Sequence, residues 1–520
     1  MIERAAQRMA ERVVADAPEG WTRAVVAATI APDRYSSAAY YVLPGDPPRT
    51  RIPSLTLSCI DEVAQAAGED RGWETTNLEF ECRPSGEYTV VAFSEAITAL
   101  QESQRGFRIV MAPDYRPPQP GTAEEEGIAA PTGTPDSAQA RFRAYLDERA
   151  AILGHSEQLP PPASSIALDE AERRLGRPLP GDLRALYAIA DGDSHGDGSR
   201  PLHLFDYAWM SLEEVVRAHE MLYEFDRFNW GLGWDWPIYD TDPPDTVRRC
   251  SRHPAWLPFA DGEDGNYLAV DMSPARNGRA GQIIAVGRDY GRGPVYVTDS
   301  VTSLLGHYLQ LLERGDYEKE DDHITIPEPS HVLGPKEATV DTLADIPPTI
   351  QEITVTGAQE PVDLSPLAAV PRLHRLKLHR CATGDLAPLR ALPVESACLS
   401  LEDADLGPLE GHRHLSVLKL ATSGPIDIGP LRTLPHLRHL DLTQARVENL
   451  EVLADMPGLR WLALTARQWT ALLDAGAVPP RLAAAHIAGT ADEARAWAQR
   501  LGLDTSDAVR VTGSLGAEDR

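Results

Sequence analysis

The sequence predicts a multi-domain α+β protein whose last third is a repeat array. Three observations carry that expectation. A chain of 520 residues exceeds what one hydrophobic core usually organises, so about three units are expected. Residues 113–138, PDYRPPQPGTAEEEGIAAPTGTPDSA, are rich in proline, glycine and acid with almost nothing to bury, which reads as an extended linker. After a second charged, proline-bearing stretch at 318–335, the segments LSPLAAVPRLHRLKL, LAPLRALP with ACLSL, LGPLEGHRHLSVLKL, IGPLRTLPHLRHLDL and LEVLADMPGLRWLAL recur. A spacing of about 20 residues with L-x-L at each strand is the signature of leucine-rich repeats. The expected layout is an N-terminal α+β domain over 1–112, the linker over 113–138, a central α+β domain over 139–325, and a leucine-rich-repeat solenoid over 337–505 with a capping helix.

In the first domain, residues 2–14 carry an amphipathic helical pattern, 21–31 and 37–43 read as β-rich, and 58–67 as helical. WETTNLEFECRPSGEYTVVAFSE then forms two strands around Pro84, Ser85 and Gly86, with Leu78, Phe80 and Cys82 alternating against polar neighbours. Helix, strands, helix and a tryptophan-led hairpin with G-x-Y before its second strand resemble the YezG-like antitoxins. The resemblance covers 1–112 and implies an immunity-type domain.

The central unit is organised around SSIALDEAERRLGRPLPGDLRALYAIADGD, residues 164–193. Ser164 or Ser165 caps a helix that buries Leu168, Ala171 and Leu175 and stops at Gly176. A second helix starts near Asp182, carries Leu183, Leu186, Tyr187 and Ile189, and stops at Gly192. Ser211 and Glu214 form a capping box with Met210 and Val215 as its hydrophobic staple, and the helix runs through Leu222. WLPFADGEDGNYLAVDMSP and AGQIIAVGRD supply strands, and a helix over 300–313 closes the unit. Helix, LP, helix, DG loop, WLPFADGEDGN hairpin and an aspartate-proline strand end, in that order, resemble the SUKH superfamily over 139–317. That resemblance implies a small α+β binding module, used in bacteria largely as an immunity protein against secreted toxins and without chemistry of its own.

In the repeats, side chains between the buried leucines should line a concave sheet: Lys377, Ser400, Lys419, Asp441 and Ala463, flanked by Arg375, Glu402, His439 and Trp461. IQEITV near Ile350 reads as a leading repeat, RLAAAHI as a trailing one, and 492–501 as a polar-faced capping helix. His374, His379, His412, His414, His436 and His439 track loop and strand-edge positions and are expected to be solvated.

The formal net charge is −29, with acid in excess in every third of the chain, so nucleic acid is not an expected ligand and a basic protein partner is. Five scattered cysteines without a C-x-x-C pair, charges throughout the first 18 residues and no long apolar run point to a cytoplasmic protein without a membrane span. The run Asp191-Gly-Asp193-Ser-His-Gly-Asp197 suggests a calcium loop, but alignment on Gly196 puts Leu202 where a bidentate glutamate belongs. A solvated turn is the reading there, and likewise at Asp261 and Asp264. No His-Glu-x-x-His, G-x-S-x-G, P-loop or G-x-G-x-x-G pattern organises a nucleophile, so neither a catalytic residue nor a metal or cofactor is expected. Trp230, Trp234 and Trp236 crowd a glycine- and aspartate-rich insertion, as a local mini-core or a contact surface.

The expected partner-binding set is therefore Asp191, Asp193, Asp197, Trp230, Trp234, Trp236, Asp261 and Asp264 in the central unit, with Arg375, Lys377, Lys419, His439, Asp441 and Trp461 on the repeats. The leading expectation is a non-enzymatic immunity or antitoxin protein that occludes a basic toxin domain. A regulatory scaffold recruiting cellular partners through the repeats is the first rival, and an enzyme using the acidic loop the second.

Overall fold

A computed structural model describes the chain apart from residues 32–33, 45–48, 54–58, 69–70, 95–96, 101–105, 113, 124, 194–202, 225–236, 321–322, 327–335, 358–360, 403–404 and 517–520. Side chains at 34–36, 49, 97–100, 122–123 and 222–224 are likewise outside the description. The architecture is mixed α/β, with sheets of six, five, two and ten strands. Two compact units result: residues 1–115, 339–348 and 353–520 form one, and residues 116–338 with 349–352 form the other. No described helix is long and apolar enough to cross a membrane.

In the first unit, helix Ile2–Ala15 buries Ala5, Ala6, Met9, Ala10 and Val13, one stripe at helical spacing. Strand Arg23–Ala31 pairs antiparallel with Arg34–Val42 on one side and Thr76–Cys82 on the other. Leu78, Phe80 and Cys82 alternate into the core as the pattern requires, and Gly86 takes a positive φ of 77° in the turn before Glu87–Phe93. The strand completing this six-stranded sheet comes from the other end of the chain. Val509–Ser514 pairs antiparallel with Glu87–Phe93, and Leu515 joins the same core.

The ten-stranded sheet holds the segments that recur in the sequence. Strands Arg375–His379, Ser396–Leu401, Val417–Ile426, His439–Val447, Trp461–Thr465 and Ala484–Ala488 run parallel, with Leu376, Ala397, Leu418, Leu440, Leu462 and Ala485 side by side. Before the first of them and between those that follow lie short 3₁₀ turns, each burying one leucine: Leu367, Leu389, Leu409, Leu431 and Leu453. Helices Ala466–Asp474 and Ala491–Arg500 replace the last two turns, both opened by full capping boxes at Thr465 with Gln468 and Thr490 with Glu493. An exposed last strand would offer unpaired amides and carbonyls to other chains. Here Gly106–Val110, from the N-terminal region, adds antiparallel to Ala484–Ala488, and Ile97–Leu100 follows it. The N-terminal residues and the repeats, read separately from the sequence, thus exchange strands in both directions and share one unit.

The second unit packs five helices, Pro135–Leu153, Ser165–Leu175, Gly181–Tyr187, Leu212–Glu224 and Val301–Arg314, with a five-stranded sheet. That sheet is an antiparallel run of Ala208–Trp209, Trp256–Asp261, Asn266–Asp271, Gln282–Gly287 and Val295–Thr298. Ser164 caps the second helix through the Ala167 amide, and Gly176 closes it in the left-handed region. Ser211 and Glu214 form the expected box, the Ser211 amide donating to Glu214 at 2.7 Å. The helix expected to reach Gly192 ends at Tyr187, because Ala163 and Asp191 are tied by backbone bonds to Tyr187 and Pro161 and turn the chain back.

The described residues of 116–138, a stretch expected as part of an extended linker, belong to this unit and are hydrogen-bonded to it at several points. The Gly121 amide donates to Arg249 O at 2.9 Å, Gly127 to Pro274 O at 3.1 Å, and Ile128 to Gly278 O at 3.0 Å. A Cβ on Gly127 would stand 2.3 Å from Ala275 O, so glycine content here permits close backbone approach and not only slack.

The strand exchange generates a direct test. Deleting residues 504–520 removes Val509–Ser514 and Leu515, whose burial alone is worth about 1.5–3 kcal/mol. The deletion is expected to lower the unfolding transition of the first unit while leaving that of the second in place. Calorimetry of the full chain and the truncation, with hydrogen exchange to assign each transition, checks it; an unchanged profile would contradict the pairing.

Candidate partner-binding surfaces

In the second unit, the carboxylates expected to meet a partner are occupied by the chain itself. Asp193 is fully buried, and its Oδ2 accepts from the Trp209 amide at 2.9 Å and the Leu204 amide at 3.1 Å. Its Oδ1 has no hydrogen-bond partner among the described residues. Burial pushes this carboxyl up to about 6 despite the two amides. The expectation of Asp193 as a rim contact is therefore corrected: a side chain at zero exposure positions a loop and meets nothing outside. Asp191 accepts from the Leu212 amide at 2.9 Å and so caps helix Leu212–Glu224.

Asp261 and Asp264 shape a turn. Asp261 accepts from the Glu263 amide at 2.8 Å, and partial burial moves it above the usual carboxylate range. Asp264 accepts from the Asn266 amide at 2.9 Å, which holds it below that range. No group of three or more His, Cys, Asp or Glu that could hold a metal occurs among the described residues. Asp197, Trp230, Trp234 and Trp236 lie outside the described residues.

On the repeats, strand register brings most of the expected residues together. One row across the sheet reads Lys377, Cys398, Lys419, Asp441, Ala463, His486 and Arg108. The neighbouring row reads Arg375, Ser396, Val417, His439, Trp461, Ala484 and Val110. Ser400, expected beside Lys377 and Lys419, pairs instead with Ala421 one step along the strand. Ala397 stands where the first leucine of L-x-L is usual, so a reading by leucines slides two residues and misses Cys398.

Lys377, Lys419, Asp441 and Arg108 are partly exposed, whereas Arg375, His439, Trp461 and His486 are buried. The His439 ring stacks on Trp461 with centroids 3.7 Å apart, and His486 lies 5.8 Å from the same indole. Burial pushes His486 down to about 4, with Arg108 and Lys419 adding to the effect and Asp441 opposing it. Burial raises the Cys398 thiol, with Lys419 and Lys377 on either side pulling the other way. The solvated histidines expected here are corrected at three positions. His374 is buried beside Glu395 at 3.6 Å, His412 accepts from the Leu415 amide and faces Leu389 O at 3.1 Å, and His439 is in the stack.

Of the residues in this row that the sequence reading left out, Cys398 was within reach of a strict repeat alignment and His486 stood in the segment already read as trailing. Arg108 carries no local signal, since only pairing across the whole chain places it there.

Residues 162–307 match the SMI1 / KNR4 family (SUKH-1), and this part of the second unit is an SMI1/KNR4 domain. The "Glucan synthesis regulatory protein" of Neurospora crassa is 32% identical over 152 residues, covering 24% of this chain and 28% of that protein. The "Cell wall assembly regulator SMI1" of Saccharomyces cerevisiae is 35% identical over 87 residues, 17% of each chain. The "Cell wall biosynthesis/cell cycle regulator smi1" of Schizosaccharomyces pombe is 30% identical over 167 residues, 31% of this chain and 33% of that one. The chain thus spans a third or less of the length of these relatives. Among solved structures, an internalin C2 from Listeria monocytogenes aligns at 25% identity over 22% of this chain and 52% of its own, with a TM-score of 0.20, too low to bear on the fold.

The buried aspartate yields a paired expectation. Asp193→Ala orphans two amides in the core, at about 1–3 kcal/mol each, and should markedly lower the unfolding midpoint. Asp193→Asn keeps an acceptor and should hold within about 1 kcal/mol of wild type. Because the folded carboxyl titrates near 6 and the unfolded one near 3.8, the wild type loses stability as pH rises between them. Asn removes that loss. Urea melts of the three proteins across this range check both statements.

Proposed function

We propose that this chain is a non-enzymatic, protein-binding regulator that joins an SMI1/KNR4 (SUKH-1) domain to a leucine-rich-repeat unit. The SUKH-1 match over 162–307, to proteins whose names describe them as regulators, is the observation that carries this reading. The geometry supports it from the other side: Asp191, Asp193, Asp261 and Asp264 are engaged as backbone acceptors in capping and turns, which is structural work and not acid–base chemistry. In this reading the solenoid spans 337–505, the SUKH-like domain 139–325, and the YezG-like domain 1–112, and the whole acts in the cytoplasm.

A narrower form of the same proposal is an immunity or antitoxin protein that occludes the site of a toxin domain. The net charge of −29 favours it, since a strongly acidic body steers toward basic partners. Affinity capture with the full chain from its own host, followed by binding measurements on the purified partner, tests both forms. A partner bound in the micromolar range or tighter is expected, and a basic toxin domain whose activity falls on binding supports the narrow form. Saturable turnover of a small substrate by the purified chain, or a host proteome that yields no specific partner, would overturn the proposal.

A further inference from the structure

The sign of the charge on the repeat sheet is opposite to that of the chain. The partly exposed ionisable residues of the two rows are Lys377, Lys419 and Arg108 together with Asp441. This face sits in a protein with 78 acidic and 49 basic residues. A random sample of its ionisable groups would be acidic in excess. The arrangement is assembled from far apart in sequence, because Arg108 enters the row only through the pairing of Gly106–Val110 with the last repeat strand.

From this we infer that the strand face bearing Lys377, Lys419 and Arg108 recognises an acidic, extended segment of a protein partner. The inference rests on the proposed reading of the repeats as a binding unit and names the chemistry of what they bind. Spacing supports an extended ligand. Adjacent strands are about 4.8 Å apart, so Lys377 and Lys419, two strands apart, are separated by roughly 10 Å, the reach of about three residues of extended chain. Lys419 and Arg108 are four strand steps apart, or roughly 19 Å, about six residues. Asp441, beside Lys419 in the row, disfavours a carboxylate there and sets register. Half-buried lysines on a sheet face are less screened than fully solvated ones, so charge recognition there survives at moderate salt better than on an open surface.

The test uses the full chain and fluorescence anisotropy with three labelled probes: a glutamate- and aspartate-rich peptide, its glutamine and asparagine counterpart, and an oligothymidine. The acidic peptide is expected to bind at least about tenfold more tightly than the neutral one, and more weakly as salt rises. The double variant Lys377→Glu, Lys419→Glu should lose about tenfold or more in affinity for the acidic peptide. The exposed Arg143→Glu serves as a control for overall charge. Lys377→Gln, Lys419→Gln provides a milder pair should circular dichroism show the reversal unfolded. Equal affinity for acidic and neutral peptides, equal losses in the control and the double variant, or preference for the oligonucleotide each overturns the inference. A captured partner whose affinity ignores Lys377 and Lys419 overturns it too, while leaving the protein-binding reading standing.

Discussion

Reciprocal strand exchange between the two ends of the chain is the constraint on which the first unit depends. Residues 106–110 close the open edge of the repeat sheet, and residues 509–514 complete the N-terminal sheet. Repeat arrays usually protect their ends with capping elements that are local in sequence. Here the helix Ala491–Arg500 follows the last parallel strand, but the sheet edge itself is covered by a strand nearly four hundred residues upstream. Contacts of that sequence separation cost loop-closure entropy before they reward it, so the pairing must be held by side-chain burial on both sheets. Phe107 and Ile109 on one side and Leu515 on the other, all buried, provide it.

The same closure shapes the proposed binding face. Without Gly106–Val110 the charged row would end at His486, a buried imidazole held neutral. With it, the row ends on a guanidinium. In the SUKH-1 domain the aspartates that look available in sequence are taken up by backbone amides.

Elements with local signatures were legible in the sequence. Ser164, Gly176 and the Ser211 and Glu214 box announce helix ends, and Leu78, Phe80 and Cys82 announce a half-buried strand, because the physics that fixes them lies within a few residues. The L-x-L periodicity likewise placed Lys377, Lys419, Asp441, His439 and Trp461 on one face. What escaped depended on distant partners. The burial of Asp193 is decided by amides at 204 and 209, the course of 116–138 by carbonyls at 249, 274 and 278, and the position of Arg108 by a strand at 484–488. Composition misled at 116–138, since the same glycines serve a slack linker and a close-packed strap.

The central claim is that residues from both chain ends and the parallel strands between them form one cooperative unit. Native-state hydrogen exchange on the full chain, followed by mass spectrometry, tests it most directly. Amides of 106–110 and 509–514 should exchange with the same opening free energy as those of strands Val417–Ile426 and His439–Val447. Rapid exchange of either terminal strand while the repeat strands stay protected would contradict the account.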